Sequence, residues 1–217
     1  MPSRILPLED KPADYFEHSR ADVIARLPKP LGRVLDVGCG AGAVGASLRD
    51  AGAAHLVGIE MNREAASRAR DIFDVVYEGD AESVLRDLVA GTPFDVVCCY
   101  DILEHLYDPE TVLRRLHHVT APNGILHISI PNARHLSLVR DLLLRGTFGY
   151  EVFGHRDATH LRWFTKSDIV MFLQECGWTV TEVTTHRLRP LRALLARLSG
   201  GYAEEFFAVQ WWIQCRA

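Results

Sequence analysis

A glycine-rich turn that directly follows a buried strand is the feature that most constrains this chain. Residues 33–37 are short, β-branched and apolar, a pattern typical of a strand buried on both faces. The chain then breaks at Gly38, Gly40 and Gly42, and residues 43–50 have the composition of a helix. Glycines at such a turn let the backbone bend tightly and approach a ligand closely. The stretch therefore predicts a strand–loop–helix unit with a ligand at the loop.

An acid inside this stretch narrows the choice of ligand. Asp36 stands beside the loop, where its carboxylate would repel a pyrophosphate but would stabilise a cationic amino acid group. The run D-V-G-C-G-A-G resembles motif I, D-x-G-x-G-x-G, of the class I S-adenosylmethionine-dependent methyltransferases. This resemblance implies S-adenosyl-L-methionine as the cofactor and S-adenosyl-L-homocysteine as the product. It also implies that the cofactor is bound by Asp36, Gly38, Cys39, Gly40 and Gly42.

Length and composition favour one methyltransferase domain over residues 1–217. Hydrophobic residues make up 48% of the sequence and charged residues 24%, as in soluble globular proteins. There is neither an apolar run of about 20 residues, which a membrane span needs, nor a signal-peptide pattern. The five cysteines lack metal-type spacing, so we expect reduced thiols and a cytoplasmic protein.

The charge distribution bears on the partners. A net charge of −4 argues against general nucleic-acid binding. Residues 133–217, however, carry 11 Lys and Arg against eight acids, so an anionic partner would be met there. We expect a small-molecule acceptor that is sugar-containing or lipid-linked, and a monomer or homodimer.

Acids at the ends of two further strands predict contacts with the nucleoside part of the cofactor. Glu60 ends a strand at residues 55–60, about twenty residues past the glycines, where an acid can accept hydrogen bonds from both ribose hydroxyls. Met61 would lie against the adenine. The resemblance places Asp80 and Ala81 near the adenine amino group, although Asp80 would equally well cap the helix that follows.

The fourth strand, residues 94–100, leads into the D-x-L-E-H-L sequence. In the family that this chain resembles, such a sequence lines the floor between cofactor and substrate. Tyr100 and Asp101 are therefore assigned to the cofactor side, and His105 is a catalytic candidate. Asn132 follows the fifth strand and is predicted to contact the substrate.

The alternation of strands and helices predicts an α/β fold, a doubly wound and mostly parallel sheet of seven strands with helices on both faces. This is the Rossmann-like methyltransferase fold, whose ligand crevice lies at the carboxyl ends of the strands. Strands at 178–185 and 206–215 would complete the sheet, the last one antiparallel. We expect an N-terminal helical cap at residues 1–30 and a helical lid insertion at residues 131–165, after the fifth strand. Tyr15 in the cap would approach the methionine part of the cofactor, or would simply dock its helix on the sheet.

The predicted lid contains the remaining catalytic candidates. The run P-N-x-R-H…G-x-F-x-Y…D-x-T-H-L-R-x-F-T within residues 128–168 resembles bacterial methyltransferases of polysaccharide and natural-product pathways. A hydroxyl acceptor must lose its proton, and a histidine, with a pKa near ~6.5, suits that task. His160 is the first choice as the base, and His105 and His155 follow. Arg162 would hold an anionic group of the acceptor. A histidine here would alternatively hydrogen-bond the backbone and hold the lid.

The sequence therefore predicts an S-adenosylmethionine-dependent methyltransferase that methylates a hydroxyl of a small or sugar-containing acceptor by in-line transfer. The alternatives are a quinone or lipid precursor as acceptor, and a non-catalytic cofactor-binding partner protein. No resident metal is expected. A metal-assisted mechanism would need Mg²⁺ on Asp101 and Asn132 with His155, Asp157 or His160. A nicotinamide dehydrogenase is disfavoured because Ala43 breaks the G-x-G-x-x-G pattern.

A leucine stripe near the C-terminus predicts a surface helix over residues 187–198. Leucines recur there at helical spacing with arginines between them. Such a stripe would rest on an anionic membrane surface as a peripheral contact, or would pack on the domain or on a second subunit.

Overall fold

The structure is a computed structural model that describes residues 20–88, 91–186 and 188–217. Tyr15 and most of the predicted helical cap lie outside the described residues. In chain order the elements are α1 (Ala21–Ile24), β1 (Gly32–Val37), α2 (Ala43–Asp50), β2 (Ala53–Glu60), α3 (Arg63–Ala69), β3 (Val75–Glu78), α4 (Ala81–Asp87), β4 (Phe94–Tyr100), α5 (Pro109–Val119), β5 (Thr120–Pro131), α6 (Leu136–Arg145), α7 (Lys166–Glu175), β6 (Thr179–Thr184), α8 (Pro190–Leu198), α9 (Glu204–Phe207) and β7 (Gln210–Arg216). Short 3₁₀ turns lie at Leu103–His105 and Gly154–Arg156.

The sheet has seven strands in the order β3-β2-β1-β4-β5-β7-β6. Strands β1 to β5 pair in parallel, and β7 is antiparallel to both β5 and β6. The predicted mostly parallel sheet with an antiparallel last strand is therefore confirmed. The strand order reverses between β1 and β4, and a doubly wound sheet opens a ligand crevice at that point.

The core lies on both faces of the sheet. Val34 and Leu35 are both fully buried, yet they belong to separate hydrophobic clusters. This separation follows because successive side chains of a strand point to opposite faces. Helices cover both clusters, which explains why the parallel strands have continuous apolar sequences. All five cysteines are buried and free, as expected.

Two predicted boundaries were wrong, both next to the candidate site. The apolar spacing of residues 132–145 predicts a helix over that whole range, but the helix begins only at Leu136, with His135 at its N-cap. The strand predicted from residue 206 begins at Gln210, because residues 204–207 form α9. The guanidinium of Arg134 lies 4.6 Å from the ring of Phe206 and holds it against the start of α6.

The segment at 131–165 lies after β5 as predicted, and its role as a substrate lid stays a prediction.

Among the described residues no helix has both the length and the apolar character that crossing a membrane requires.

Candidate functional site

A cavity of about 720 Å³ lies at the carboxyl ends of the parallel strands, next to the point where the strand order reverses. One end is formed by the glycine loop after β1 and by the end of β2. The other end is formed by the 3₁₀ turn after β4 and by lid residues between 153 and 161. Most of the predicted site residues line it, namely Asp36, Gly38, Cys39, Gly40, Glu60, Met61, Asp80, Ala81, Tyr100, Asp101, His105, His155 and His160.

The glycine loop is held against the end of β2 by its backbone. The N–H groups of Gly38 and Cys39 both donate to the carbonyl oxygen of Ile59, at 2.8 and 3.0 Å. Gly38 has a φ of +78°, and a Cβ there would stand 2.9 Å from Cδ1 of Ile102. Gly42 has a φ of +97° at the N-cap of α2 and does not belong to the cavity lining. Gly38 therefore shapes the cavity wall, and Gly42 sets the start of the helix.

Asp36 presents an unsatisfied carboxylate at the cofactor end of the cavity. Its side chain is buried, and within the described part of the chain its Oδ2 has no hydrogen-bond partner. Burial, and then the nearby Glu60, raises the pKa of Asp36 to about 7. A cationic amine would satisfy Oδ2 and favour the charged carboxylate. Asp36 thus fits the amino acid part of S-adenosylmethionine.

Glu60 joins the glycine loop to the end of β2. Its carboxylate accepts hydrogen bonds from the N–H groups of Gly40, at 2.9 Å, and Asn62, at 2.7 Å. Burial raises the pKa of Glu60, while these backbone hydrogen bonds oppose the rise. A carboxylate held in this position has the acceptor capacity that ribose hydroxyls need.

Asp80 caps a helix, and its place near the adenine stays a prediction. Its Oδ1 accepts from the N–H of Ser83 at 2.8 Å and caps α4, which lowers the pKa of Asp80. Asp80 also lines the cavity, together with Ala81. Met61 lines the same rim with 56% of its surface exposed, so a flat ligand can cover it.

The cavity lining contains an ion pair that could not be identified from the sequence. Arg20 pairs with Asp101, which also accepts hydrogen bonds from Oγ of Ser129, at 3.0 Å, and Nε2 of Gln210, at 2.9 Å. Asp101 has a φ of +52°, an uncommon conformation for a residue other than glycine. Among the described cavity-lining residues Arg20 is the only guanidinium. No local pattern links Arg20 to β4, so the sequence alone could not identify it.

The neighbouring Tyr100 is tied to the sheet. Its hydroxyl lies 2.9 Å from Nδ1 of His127 on β5, and the ring is almost fully buried. Burial raises the pKa of Tyr100 well above its usual value, so the phenol stays neutral and forms part of the cavity wall.

An acid and two histidines meet at the other end of the cavity. Nε2 of His160 lies 3.9 Å from Oε1 of Glu104, and the rings of His105 and His160 are 4.7 Å apart. Glu104 is 1% exposed, neither of its side-chain oxygens has a hydrogen-bond partner among the described residues, and burial raises its pKa to about 8. The sequence analysis did not select Glu104, although it is the acid of the D-x-L-E-H-L sequence.

The same three side chains can hold a metal ion. Each side chain offers one ligand atom, and these three atoms, from Glu104, His105 and His160, lie within 4.8 Å of one another. Imidazole and carboxylate together suit several divalent transition metals. The oxygen ligands named for a Mg²⁺ site are engaged elsewhere, Asp101 with Arg20 and Asn132 with the backbone.

Three further predicted residues bond to the backbone within or next to residues 131–165. Asn132 is fully buried, and its amide donates to the carbonyl oxygens of Glu205 and Ala208, at 2.7 and 2.8 Å. This geometry gives Asn132 a structural role in place of the predicted substrate contact. Arg162 donates to the carbonyl oxygen of Tyr107 and does not belong to the lining of the large cavity. His155 lines the cavity, but its Nε2 lies 2.8 Å from the carbonyl oxygen of Val209.

Comparison with known proteins agrees with this fold. The profile of the methyltransferase domain family matches residues 13–183. A ubiquinone biosynthesis O-methyltransferase of Xylella fastidiosa (strain 9a5c) is 30% identical over 199 residues, covering 84% of this chain and 75% of that protein. The corresponding protein of Neisseria meningitidis serogroup C (strain 053442) is 33% identical over 138 residues, and 56% of this chain matches 57% of its length. The chain thus matches little more than half the length of the Neisseria relative.

Solved structures show the same fold. An S-adenosylmethionine-dependent methyltransferase from Mesorhizobium loti superimposes with a TM-score of 0.63 at 17% identity, covering 96% of this chain and 100% of that one. A second, from Archaeoglobus fulgidus, gives a TM-score of 0.64 at 19% identity, covering 94% and 97%. The family profile and the sheet order lead to one conclusion: this chain belongs to the methyltransferase domain family and has the fold of the class I S-adenosylmethionine-dependent methyltransferases.

Proposed function

We propose that this chain methylates a hydroxyl oxygen of a small-molecule acceptor, and that a phenolic quinone precursor is the first acceptor to test. One observation carries the proposal: the Glu104–His160 pair faces the same cavity as Asp36 and Glu60. A cofactor held by the two strand-end acids would therefore share an enclosed space with a base. The ubiquinone biosynthesis O-methyltransferases among the relatives support a quinone precursor, and a sugar-containing acceptor is the alternative.

S-adenosylmethionine supplies the methyl group in this reaction. The contribution of the chain begins with orientation, because Asp36, the glycine loop and Glu60 fix one reactant while the cavity walls confine the other. Holding two reactants in line can provide on the order of 7–11 kcal/mol at best. Tyr100 and Ile102 line the cavity between the two groups of residues.

The acceptor hydroxyl must also lose a proton, and we assign that step to His160. Its ring is 7% exposed and faces the cavity, and Glu104 lies behind it at 3.9 Å. Burial raises the pKa of Glu104 to about 8, and a positive charge on the imidazole would lower that pKa again, because the ionised carboxylate and the imidazolium stabilise each other. His105 is the second candidate, and Oγ1 of Thr159 lies 3.1 Å from its Nδ1. His155 is the third.

The experiment is methyl transfer to a panel of phenolic quinone precursors, nucleotide sugars and lipid-linked sugars. We expect His160→Ala to lower turnover by roughly 10²–10⁴ with unchanged affinity for S-adenosylmethionine. The matched control is His118→Ala, since His118 is exposed on α5 and bonds only within that helix. If His160→Ala keeps full activity, or if it loses cofactor affinity as much as turnover, His160 is not the base.

A second candidate mechanism is metal-assisted methyl transfer, favoured by the cluster of Glu104, His105 and His160. A bound cation would lower the pKa of the acceptor hydroxyl, and His160 would then be a ligand instead of the base. The two mechanisms differ in one measurement. Dialysis against a chelator leaves activity intact if His160 is the base. If chelation abolishes activity and Mn²⁺ or Zn²⁺ restores it, the cluster binds a metal.

A cytoplasmic location stays a prediction.

A further inference from the structure

Helix α8 presents its leucines to solvent. Leu191 and Leu198 are 70% and 75% exposed, and Leu194 and Leu195 are also exposed, while only Ala196 in this helix is buried. An amphipathic helix normally turns its apolar stripe toward the core. The structure therefore does not support packing of this stripe on its own domain.

Helix α6 exposes a second set of leucines. Leu142, Leu143 and Leu144 at its C-terminal end are 54%, 75% and 80% exposed. The loop that follows adds aromatic side chains that pack on one another, since the ring of Phe148 lies 5.4 Å from that of Trp163. Contiguous exposed apolar surface of this kind usually marks an interaction site.

Contacts connect both helices to the acceptor end of the cavity. His135, the residue before α6, stacks on His155 at 4.8 Å, and His155 lines the cavity. The guanidinium of Arg192 on α8 lies 5.3 Å from the ring of Phe207 on α9. Helices α8 and α9 also contact each other directly. Helix α6 thus follows a residue that stacks on the cavity lining, and α9, on which α8 packs, leads directly to Val209 and Gln210 of that lining. We define the α6–α8 face as the exposed leucines and arginines of these two helices.

The charge of this face is entirely positive. Arg140 and Arg145 lie on α6, Arg189 immediately precedes α8, and Arg192 and Arg197 lie on α8. The only acid of the two helices is Asp141, whose buried carboxylate already pairs with arginines, among them Arg140 at 3.0 Å. In the part of the chain that the structure describes, no ion pair involves an arginine at 189, 192 or 197.

A second copy of the chain is a poor occupant of this face. A two-fold dimer places the same patch on both subunits, so arginines would oppose arginines. Anionic lipid headgroups complement the arginines, and the leucines can enter the boundary between headgroups and acyl chains.

We propose that the α6–α8 face docks on an anionic membrane surface. The proposal deepens the proposed function, because an acceptor with a lipid tail could stay in the bilayer while its polar end enters the cavity. Each arginine near an anionic surface contributes about fivefold to partitioning. Two arginines should thus change it by about 25-fold.

The test is cosedimentation with vesicles of phosphatidylcholine alone or mixed with phosphatidylglycerol, at low and high salt. We expect sedimentation only with the anionic vesicles, and release at high salt. Replacement of Arg189 and Arg197 by Ser should weaken it about 25-fold, and Leu191→Ser with Leu198→Ser should also weaken it. The matched control is a double variant, Arg63→Ser with Met171→Ser, at exposed positions on α3 and α7. It should sediment like the unsubstituted protein.

Two results would overturn the proposal. One is protein that stays in the supernatant with both vesicle types at low salt. The other is a dimer in light scattering that the leucine substitutions dissociate without any vesicle binding, which would assign the face to a second copy. Neither result depends on methyl transfer. Turnover of a water-soluble acceptor by these variants, measured separately, reports on the proposed function alone.

Discussion

Two buried carboxyl groups at opposite ends of one cavity dominate the chemistry at the residue scale. Asp36 and Glu104 each lie almost fully out of water, and burial raises the pKa of Asp36 to about 7 and that of Glu104 to about 8. A protein retains such costly groups mainly where a ligand or a proton transfer uses them. We therefore propose Asp36 as the cofactor end of the cavity and Glu104 as the acceptor end.

The first prediction concerns the pH dependence of cofactor binding. Below about pH 7 Asp36 holds a proton that it must release to meet an ammonium group. The affinity for S-adenosylmethionine should therefore rise as the pH increases to about 7 and then level off, with proton release at lower pH. Calorimetry at about pH 6 in two buffers of different ionisation enthalpy measures that release. Asp36→Asn should bind S-adenosylmethionine about 10- to 100-fold more weakly and should release no proton. If the affinity of the parent protein for S-adenosylmethionine is equal at pH 5.5 and 8, the assignment is contradicted.

The second prediction concerns the glycine loop. Gly38→Val should abolish binding of S-adenosylmethionine, because its side chain would collide with Ile102 and enter the cavity. Gly52→Val is the matched control. Gly52 also has a positive φ, +95°, but a Cβ there meets nothing within 4 Å. Both variants carry the backbone strain of about 1–2 kcal/mol, so retained binding in Gly38→Val, or equal loss in both, would show that the loop does not contact the cofactor.

At the scale of elements, side-chain hydrogen bonds to the backbone decide where the lid begins. Asn132 turns inward at the end of β5 and links it to the chain around α9, and its Oδ1 accepts from the N–H of Arg134 at 3.0 Å. Helix α7 begins where Thr165 accepts from the N–H of Asp168.

The third prediction tests the structural role of Asn132. Asn132→Ala leaves buried carbonyl groups without donors, so the free energy of unfolding should fall by about 1–3 kcal/mol. Thr165→Ala, which removes only the helix cap, should cost about 1 kcal/mol. Urea unfolding followed by circular dichroism measures both. An Asn132→Ala protein of unchanged stability would return this residue to the candidate substrate contacts.

At the scale of the whole molecule, the raised pKa values make stability depend on pH. Unfolded, Asp36 and Glu104 titrate near 3.8 and 4.5, and folded near 7 and 8. Through these two groups the folded state binds more protons between these values, and their contribution to stability is lost as the pH rises to about 8. The lowered pKa values of His127, His135 and His155 act in the opposite direction up to about pH 6.5. Those of Asp74, Asp80, Asp108 and Asp141 do so only near pH 4 and below.

The fourth prediction follows from that sign. The free energy of unfolding of the ligand-free protein should decrease from about pH 6.5, above which the histidines no longer titrate in the unfolded chain, to pH 8, by at most about 1.4 kcal/mol per pH unit for each carboxyl group. Urea unfolding over a pH series measures the slope. Glu104→Gln should flatten it above about pH 7, and Asp36→Asn should flatten it at lower pH. Stability that stays constant or increases over this range would contradict the raised pKa values.

Much of the fold could be predicted from the sequence because its signals are local. The runs at 33–37, 75–78 and 94–100 are strands whose apolar residues and flanking turns are contiguous in the chain. The glycine loop and the acid at Glu60 follow such strands directly. Parallel strands present their carboxyl ends at one edge of a sheet, so the sequence could indicate the position of the cofactor before any contact was known.

Contacts between distant segments were decided only by the tertiary structure. The Arg20–Asp101 pair, the inward turn of Asn132 and the approach of His160 to Glu104 each join residues from separate elements. The leucine stripe of α8 has the same periodicity whether it faces a core or solvent, so the sequence left that choice open. Sequence determines local backbone preference and apolar periodicity, whereas burial, pairing and the direction of a face depend on which distant segments pack together.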